Sequence, residues 1–189
     1  MGTLRFGMIT CSLDGFVNDG DGEIGWTAPS DDRHEFINRR VGDVSVFVMG
    51  RRMYEMLRVW DDWPPGRQVE DEFAALWARA DKIVCSDALD PVDAPRTTVE
   101  RRLTLDRLDE IVAQTDGVVE VSGPTTAAEA LRAGRVDEID LFVLPRTVGE
   151  GRRALPQGMQ ASLELRESRT FSDGAVYLSY GRAGPERGV

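Results

Sequence analysis

The sequence predicts an α/β protein in three layers, a mixed and mostly parallel sheet flanked by helices and finished by a C-terminal antiparallel hairpin. Three observations carry this. Short, apolar, β-branched runs recur at Leu4–Cys11, Val44–Met49, Lys82–Cys85, Val118–Val121 and Ile139–Leu144, the length expected of buried strands. Helix-forming segments alternate with them, as in a sheet covered on both faces. The end of the chain changes character. Leu163–Ser168 and Val176–Tyr180 alternate in polarity across the turn signal Asp173-Gly174.

Taken in order, the first strand runs into Ser12-Leu13-Asp14-Gly15-Phe16-Val17, where Asp-Gly marks a turn or bulge. A polar, glycine-rich loop, Asn18 to Glu23, follows; it begins like a calcium loop, but its later spacing fails. Ser30, Asp31 and Asp32 then open a helix whose inner face is Phe36, Ile37 and Val41. The second strand stops at Gly50, and a helix from about Arg52 to Arg58 starts at once. Trp60 to Gly66 is a stiff aromatic loop, and Glu70 to Ala80 a helix with Phe73, Leu76 and Trp77 inward. After the strand at Lys82, Thr97–Glu100 reads as a further short strand. Leu105–Gln114 is helical, with Leu105, Leu108 and Val112 on one face. Val118–Val121 leads through Ser122-Gly123-Pro124-Thr125-Thr126 into a helix over Ala127–Ala133, capped by Gly134.

Length and composition narrow the class. At 189 residues, with no repeat or linker, the reading is one domain over 1–182 and a flexible tail over 183–189. No apolar run approaches the ~20 residues that cross a bilayer. The N-terminus enters a strand pattern without the regions of a signal peptide, which places the protein in the cytoplasm. The net charge of −10 argues against a nucleic-acid partner. A single histidine, His34, removes histidine-based triads and zinc spacing, so no metal is expected. Cys11 and Cys85 read as small hydrophobes in a reducing compartment.

Chemistry is sought at the strand ends. In open α/β sheets, ligands bind beyond the carboxyl ends of parallel strands. Three such turns look alike: Met49-Gly50-Arg51-Arg52, Cys85-Ser86-Asp87 and Val121-Ser122-Gly123-Pro124-Thr125-Thr126. Glycine lets a ligand approach the backbone, and hydroxyls, arginines and helix N-termini suit phosphate. Neither a Gly-x-Gly-x-x-Gly fingerprint nor a Walker loop is present, so a nucleotide would be held by distributed turns.

These residues carry a resemblance. Trp26-Thr27-Ala28-Pro29-Ser30-Asp31, Phe36 and Val46 to Glu55 resemble the front half of dihydrofolate reductases. Ser12 to Val17, Leu131 to Gly151 and Phe171 to Tyr180 are closer to the reductase domain of riboflavin biosynthesis enzymes and its stand-alone relatives. Together they span roughly Leu4 to Tyr180. The resemblance implies a dihydrofolate-reductase-like fold, NADPH bound across the sheet, and hydride transfer to a small heterocycle: a pterin, a pyrimidine or a riboflavin-precursor-like compound. By the same resemblance, Gly50, Arg51 and Arg52 hold cofactor phosphates, Ser86 lies near the 2′-phosphate, and Ser122, Gly123, Thr125 and Thr126 cradle the pyrophosphate. A homodimer is also implied.

Departures from the pattern leave alternatives open. Met53 stands where a hydroxyl is usual, Pro124 removes one N–H, and Asp87 follows Ser86, which leaves NADH beside NADPH. Asp31 matches the substrate carboxylate of the resemblance and is equally a helix N-terminal acid, a role Asp32 could exchange with it. Asp14 faces the cleft in one reading and forms an Asp-Gly turn in the other. Trp26 and Trp60 (or Trp63) stack on a flat substrate or pack in the core. The second functional reading is a nucleotide- or small-molecule-binding protein that keeps the fold without turnover.

Overall fold

A computed structural model of the chain describes residues 2–183. Eight strands form one sheet: β1 (Thr3–Ser12), β2 (Val44–Gly50), β3 (Asp81–Cys85), β4 (Thr97–Glu100), β5 (Val118–Ser122), β6 (Glu138–Leu144), β7 (Leu163–Thr170) and β8 (Val176–Arg182). Their order is β4-β3-β2-β5-β1-β6-β8-β7. The first six pair in parallel, and β8 joins β6 and β7 antiparallel. Five helices cover the sheet: α1 (Asp31–Val41), α2 (Arg51–Leu57), α3 (Gln68–Arg79), α4 (Leu105–Gln114) and α5 (Pro124–Arg132). The mixed sheet with its terminal hairpin is the architecture the strand pattern predicts. From 184 onward the expected tail lies outside the described residues.

The two faces of the sheet bury different sets of side chains. One packs Leu4, Phe6, Val46, Val48, Val119, Val121 and Ile139 against Leu108 and Ile111 of α4 and Ala127, Ala130 and Leu131 of α5. On the other, Phe47, Met49 and Val84 meet Tyr54 and Leu57 of α2 and Phe73 and Trp77 of α3. Beyond β1 this second face continues as Phe142, Leu144 and Tyr177 under Phe36 of α1.

Local differences from the expected bounds have local causes. Helix α5 begins at Pro124, three residues earlier than its apolar pattern suggests. Gly123, at φ +91°, turns the chain off β5, and proline at the first helical position is preset for the helix. Ser30 occupies the N-cap of α1, but its hydroxyl donates to the Asp32 carboxylate (2.6 Å) instead of accepting a helix N–H. Asp32 in turn accepts from the Ser172 N–H (2.9 Å) and hydroxyl (2.7 Å), tying α1 to the β7–β8 turn.

The polarity pattern does not announce what lies between the two apolar clusters of the second face. Arg5 is fully buried there, its Nε donating to Glu120 Oε2 at 3.0 Å and its Nη2 to Asp43 at 2.9 Å and the Arg40 carbonyl at 2.8 Å. Arg40 closes the network on Asp140 at 2.8 Å. Gly7 makes room for it, since a Cβ there would meet the Glu120 carboxyl. Burial pushes the Glu120 carboxyl up to about 7, against the pull of Arg5. A carboxyl raised above its unfolded value, ~4.3, contributes stability at low pH that is lost as pH rises through the folded pKa. Glu120→Gln should therefore flatten the pH dependence of stability between about pH 4.3 and 7, measured as urea midpoints. Parallel curves for the two proteins would contradict this.

Candidate functional site

Because β4, β3, β2, β5, β1 and β6 are parallel, their carboxyl ends open on the same edge of the sheet. Gly50 lies beside Cys85 and Met49 beside Ser122 in the strand register, so the three similar turns of the sequence are neighbours. Above them is a cleft of about 760 Å³.

The lining mixes two kinds of residue. Around the ends of β4, β2 and β5 it is basic and glycine-rich, with Arg101 and Arg102 after β4, Arg51 and Arg52 in the first turn of α2, then Gly50, Gly123, Thr125 and Thr126. Glu129 of α5 is the one carboxylate among the described lining residues. Among the described residues Arg52, Arg101 and Arg102 form no ion pair, while Arg51 reaches Glu55 at 3.6 Å. A Cβ on Gly50 would stand 2.9 Å from Thr126 Oγ1, so glycine keeps the floor open between β2 and α5. Arg152 also lines the cleft and donates to Thr125 Oγ1 at 3.3 Å. The rest of the lining is largely apolar, Ile9 of β1, Val17 and Ile24 of the loop after it, and Met53 and Met56 of α2, with Thr10, Asn18 and Thr27.

Free N–H groups at the start of α5, guanidinium charge and bare glycine backbone together form an anion cradle. The fully buried Ser122 hydroxyl, which has no hydrogen-bond partner among the described residues, lies at the end of β5 beside that cradle. The donor set fits a dinucleotide: phosphates beside the arginines and glycines and a flat ring against the apolar side chains.

Of the residues singled out by sequence, Gly50, Arg51, Arg52, Gly123, Thr125 and Thr126 line the cleft. Ser122 is buried at the end of its strand, and Ser86 caps a turn, its hydroxyl accepting the N–H of Ala88 and Leu89 at 3.1 Å each. The other four lie apart from the lining. Asp31 is exposed at the start of α1 and paired with Arg67. Asp14 accepts from the Ser12 hydroxyl (2.6 Å) and the N–H of Gly149 (2.8 Å), bonds that hold its carboxyl below the usual range and fasten the loop after β6. Trp26 donates from Nε1 to the Glu23 carbonyl at 3.1 Å and lies under the Arg146 guanidinium. Trp60 packs against Trp63 and Phe73, with His34 at its edge. Asp32 is committed to Ser30 and Ser172, whose hydrogen bonds hold its carboxyl far below the ordinary value.

Sequence reasoning passed over Arg101 and Arg102, although both follow directly on the strand Thr97–Glu100 and the strand-end argument reaches them as well. Arg152 belongs to the run Gly149 to Arg153, which in sequence reads either as a substrate-side loop or as an ordinary flexible connection; the structure brings it to the cleft. Cys85 also lines the cleft, but burial pushes its thiol up to about 11, which makes it a poor nucleophile.

Comparison with known proteins bears on this arrangement. The family model for the RibD C-terminal domain matches residues 7–177. No curated protein gives a significant match. Among solved structures, a candidate riboflavin biosynthesis protein from Shewanella sp. PV-4 is similar over 97% of this chain and 100% of its own, at 20% identity and TM-score 0.73. Dihydrofolate reductase from Enterococcus faecalis, complexed with NADP(H) and RAB-propyl, is similar over 97% of both chains, at 14% identity and TM-score 0.63. The diaminohydroxyphosphoribosylaminopyrimidine deaminase/5-amino-6-(5-phosphoribosylamino)uracil reductase from Thermotoga maritima matches 97% of this chain at 16% identity and TM-score 0.60. This chain spans 56% of that protein's length.

Proposed function

The chain belongs to the RibD C-terminal domain family, and from that premise we propose that it is an NADPH-dependent reductase that delivers hydride to a small heterocycle. The observation that carries the reading is the strand-end cleft, which combines the arginines after β4 and β2 and the bare glycine turns at Gly50 and Gly123 with the apolar side chains of Ile9, Val17, Ile24, Met53 and Met56. Arg51, Arg52 and Arg152 would neutralise the pyrophosphate, with the N–H groups of Thr125 and Thr126 donating to it. Arg101 and Arg102, at the far edge, would receive the 2′-phosphate that distinguishes NADPH from NADH. When bound, the nicotinamide supplies the hydride. Ile9, Val17 and Met53 would hold its ring flat against the end of β1 and exclude water from the reacting carbons. The one carboxylate among the described lining residues is Glu129 of α5, so the accompanying proton would come from it or from solvent at the mouth.

Calorimetric titration with NADPH and NADH tests the reading. Arg101→Ala combined with Arg102→Ala should weaken NADPH by roughly ten- to a hundredfold, the worth of a charge-assisted hydrogen bond, and leave NADH nearly unchanged. Equal losses for both cofactors would move these arginines to the pyrophosphate.

A second reading, a nucleotide-binding protein without turnover, is favoured by the position of Asp31 outside the cleft. NADPH that binds but is never oxidised across pterins, pyrimidines and quinones would support it. We also propose a homodimer, in keeping with the resemblance; sedimentation velocity showing monomer alone would remove that element.

A further inference from the structure

We propose that Asn18 is a positioning residue of the cofactor site: it fixes the backbone of Arg152 so that this guanidinium closes on phosphate bound at the start of α5. This rests on the reductase reading and adds to it a residue that acts through another.

Arg152 comes from the loop between β6 and β7, and the segment after β1 sets the course of that loop. At its start the Asp14 carboxylate accepts the N–H groups of Val148 at 3.2 Å and Gly149 at 2.8 Å. Further on, Arg153 forms an antiparallel bridge with Phe16, and the Ala154 N–H donates to the Gly15 carbonyl at 2.9 Å. Between these anchors both backbone polar groups of Arg152 are taken. Its carbonyl accepts from the Val17 N–H at 2.8 Å, and its N–H donates to Asn18 Oδ1 at 2.9 Å. The Asn18 amide is held in that sense by its other end, because Nδ2 donates to the Asp19 carbonyl at 3.0 Å. Only glycine fits beside this contact. Gly151 has φ +140°, and a Cβ there would overlap the Asn18 carbonyl oxygen.

The guanidinium of Arg152 is held far more lightly than its backbone. It is exposed, forms no ion pair among the described residues, and its one described hydrogen bond is the 3.3 Å contact with Thr125 Oγ1. Thr125 is the second residue of α5, where backbone N–H groups lack a partner within the helix. A phosphate arriving there can take the guanidinium from Thr125 without breaking an ion pair. A fixed main chain matters to such a clamp. Were the loop free, it would have to be ordered at each binding event, and that entropy would be lost from the affinity. Arg51 and Arg52 sit on α2, outside this loop, so Asn18 bears on one guanidinium only.

A double-mutant cycle read by calorimetric titration of the full chain with NADPH tests this, in variants whose circular dichroism matches wild type. Arg152→Ala should weaken NADPH by about tenfold or more, the worth of a charge-assisted hydrogen bond. Asn18→Ala leaves every arginine in place and should still weaken it by about three- to tenfold, within the range of coupling found in one network. Once Arg152 is replaced, Asn18→Ala should change the affinity by no more than about twofold. Both single variants should also lose affinity less steeply than wild type between about 50 and 500 mM salt, because one charge no longer takes part. Asn18→Ser, which keeps a shorter acceptor, should lie between wild type and Asn18→Ala, and it carries the cycle if the alanine variant does not fold. Effects of the two substitutions that multiply would overturn the proposal. So would an Asn18→Ala protein that binds like wild type or keeps the wild-type salt dependence. Undiminished affinity in Arg152→Ala would overturn it too, with the cofactor site left standing. Failure of wild type to bind NADPH would instead remove the reductase reading and the proposal with it.

Discussion

Arg5→Met should destabilise the protein by about 3–5 kcal/mol, the cost of removing one partner from a buried ion pair. Methionine fills much of the guanidinium's volume and cannot answer the charges around it. Glu120 and Asp140 are both buried, and one oxygen of each carboxylate already lacks a hydrogen-bond partner. Without Arg5, Glu120 loses its 3.0 Å partner and Asp140 keeps only Arg40. Part of the loss should be recovered in Arg5→Met with Glu120→Met, because replacing both partners of a buried pair by apolar groups is often nearly neutral. Urea denaturation of both variants checks this. A single variant within about 1 kcal/mol of wild type would show that water already solvates the network.

The second large effect concerns the floor of the cleft. Gly50→Val should lower NADPH affinity by roughly ten- to a hundredfold, since forcing extra methyl groups into a filled space costs about 1–3 kcal/mol. Even a Cβ at this position would stand 2.9 Å from Thr126 Oγ1. The valine methyls must then push α5 away from β2 or occupy the space intended for phosphate. Gly50 has φ −81°, a conformation open to any residue, so the fold itself should survive with a circular dichroism spectrum like that of wild type. Unchanged NADPH affinity in a folded Gly50→Val protein would place the phosphates elsewhere.

These two predictions differ in how far the sequence discloses them. The glycine at the end of β2 is legible, because an apolar run ending in glycine before a helix has few other meanings. The adjacency of the three turns follows from parallel strand order, which short apolar runs and intervening helices imply. Arg5 is not legible in this way. Between Leu4 and Phe6 it looks like the outward residue of an alternating strand, and only pairing with β5 and β6 reveals acids on the same face. Lys82, the one lysine of the chain, is a similar case: buried, with its ammonium donating to the carbonyls of Trp77 and Ala80 at 2.9 and 3.1 Å at the end of α3. The direction of Asp31 and Asp32 is settled by Arg67 and Ser172, 36 and 140 residues away. Reading along the chain leaves that choice open, and the opposing partners decide it.

The apolar part of the lining shows the same limit from another side. Met53 breaks the resemblance at the point where a hydroxyl is usual, and by itself it reads as a lost phosphate contact. Beside Met56, Ile24 and Ile9 it becomes part of a wall. The difference lies in neighbours drawn from β1 and the loop after it, which are far from Met53 in sequence, together with Met56 one turn along α2.

The decisive question is whether the strand-end cleft holds a reduced nicotinamide dinucleotide. Isothermal titration of the full chain with NADPH is the measurement. One site per chain is predicted, with affinity that falls as salt screens the arginines. No detectable binding at millimolar NADPH would contradict the account.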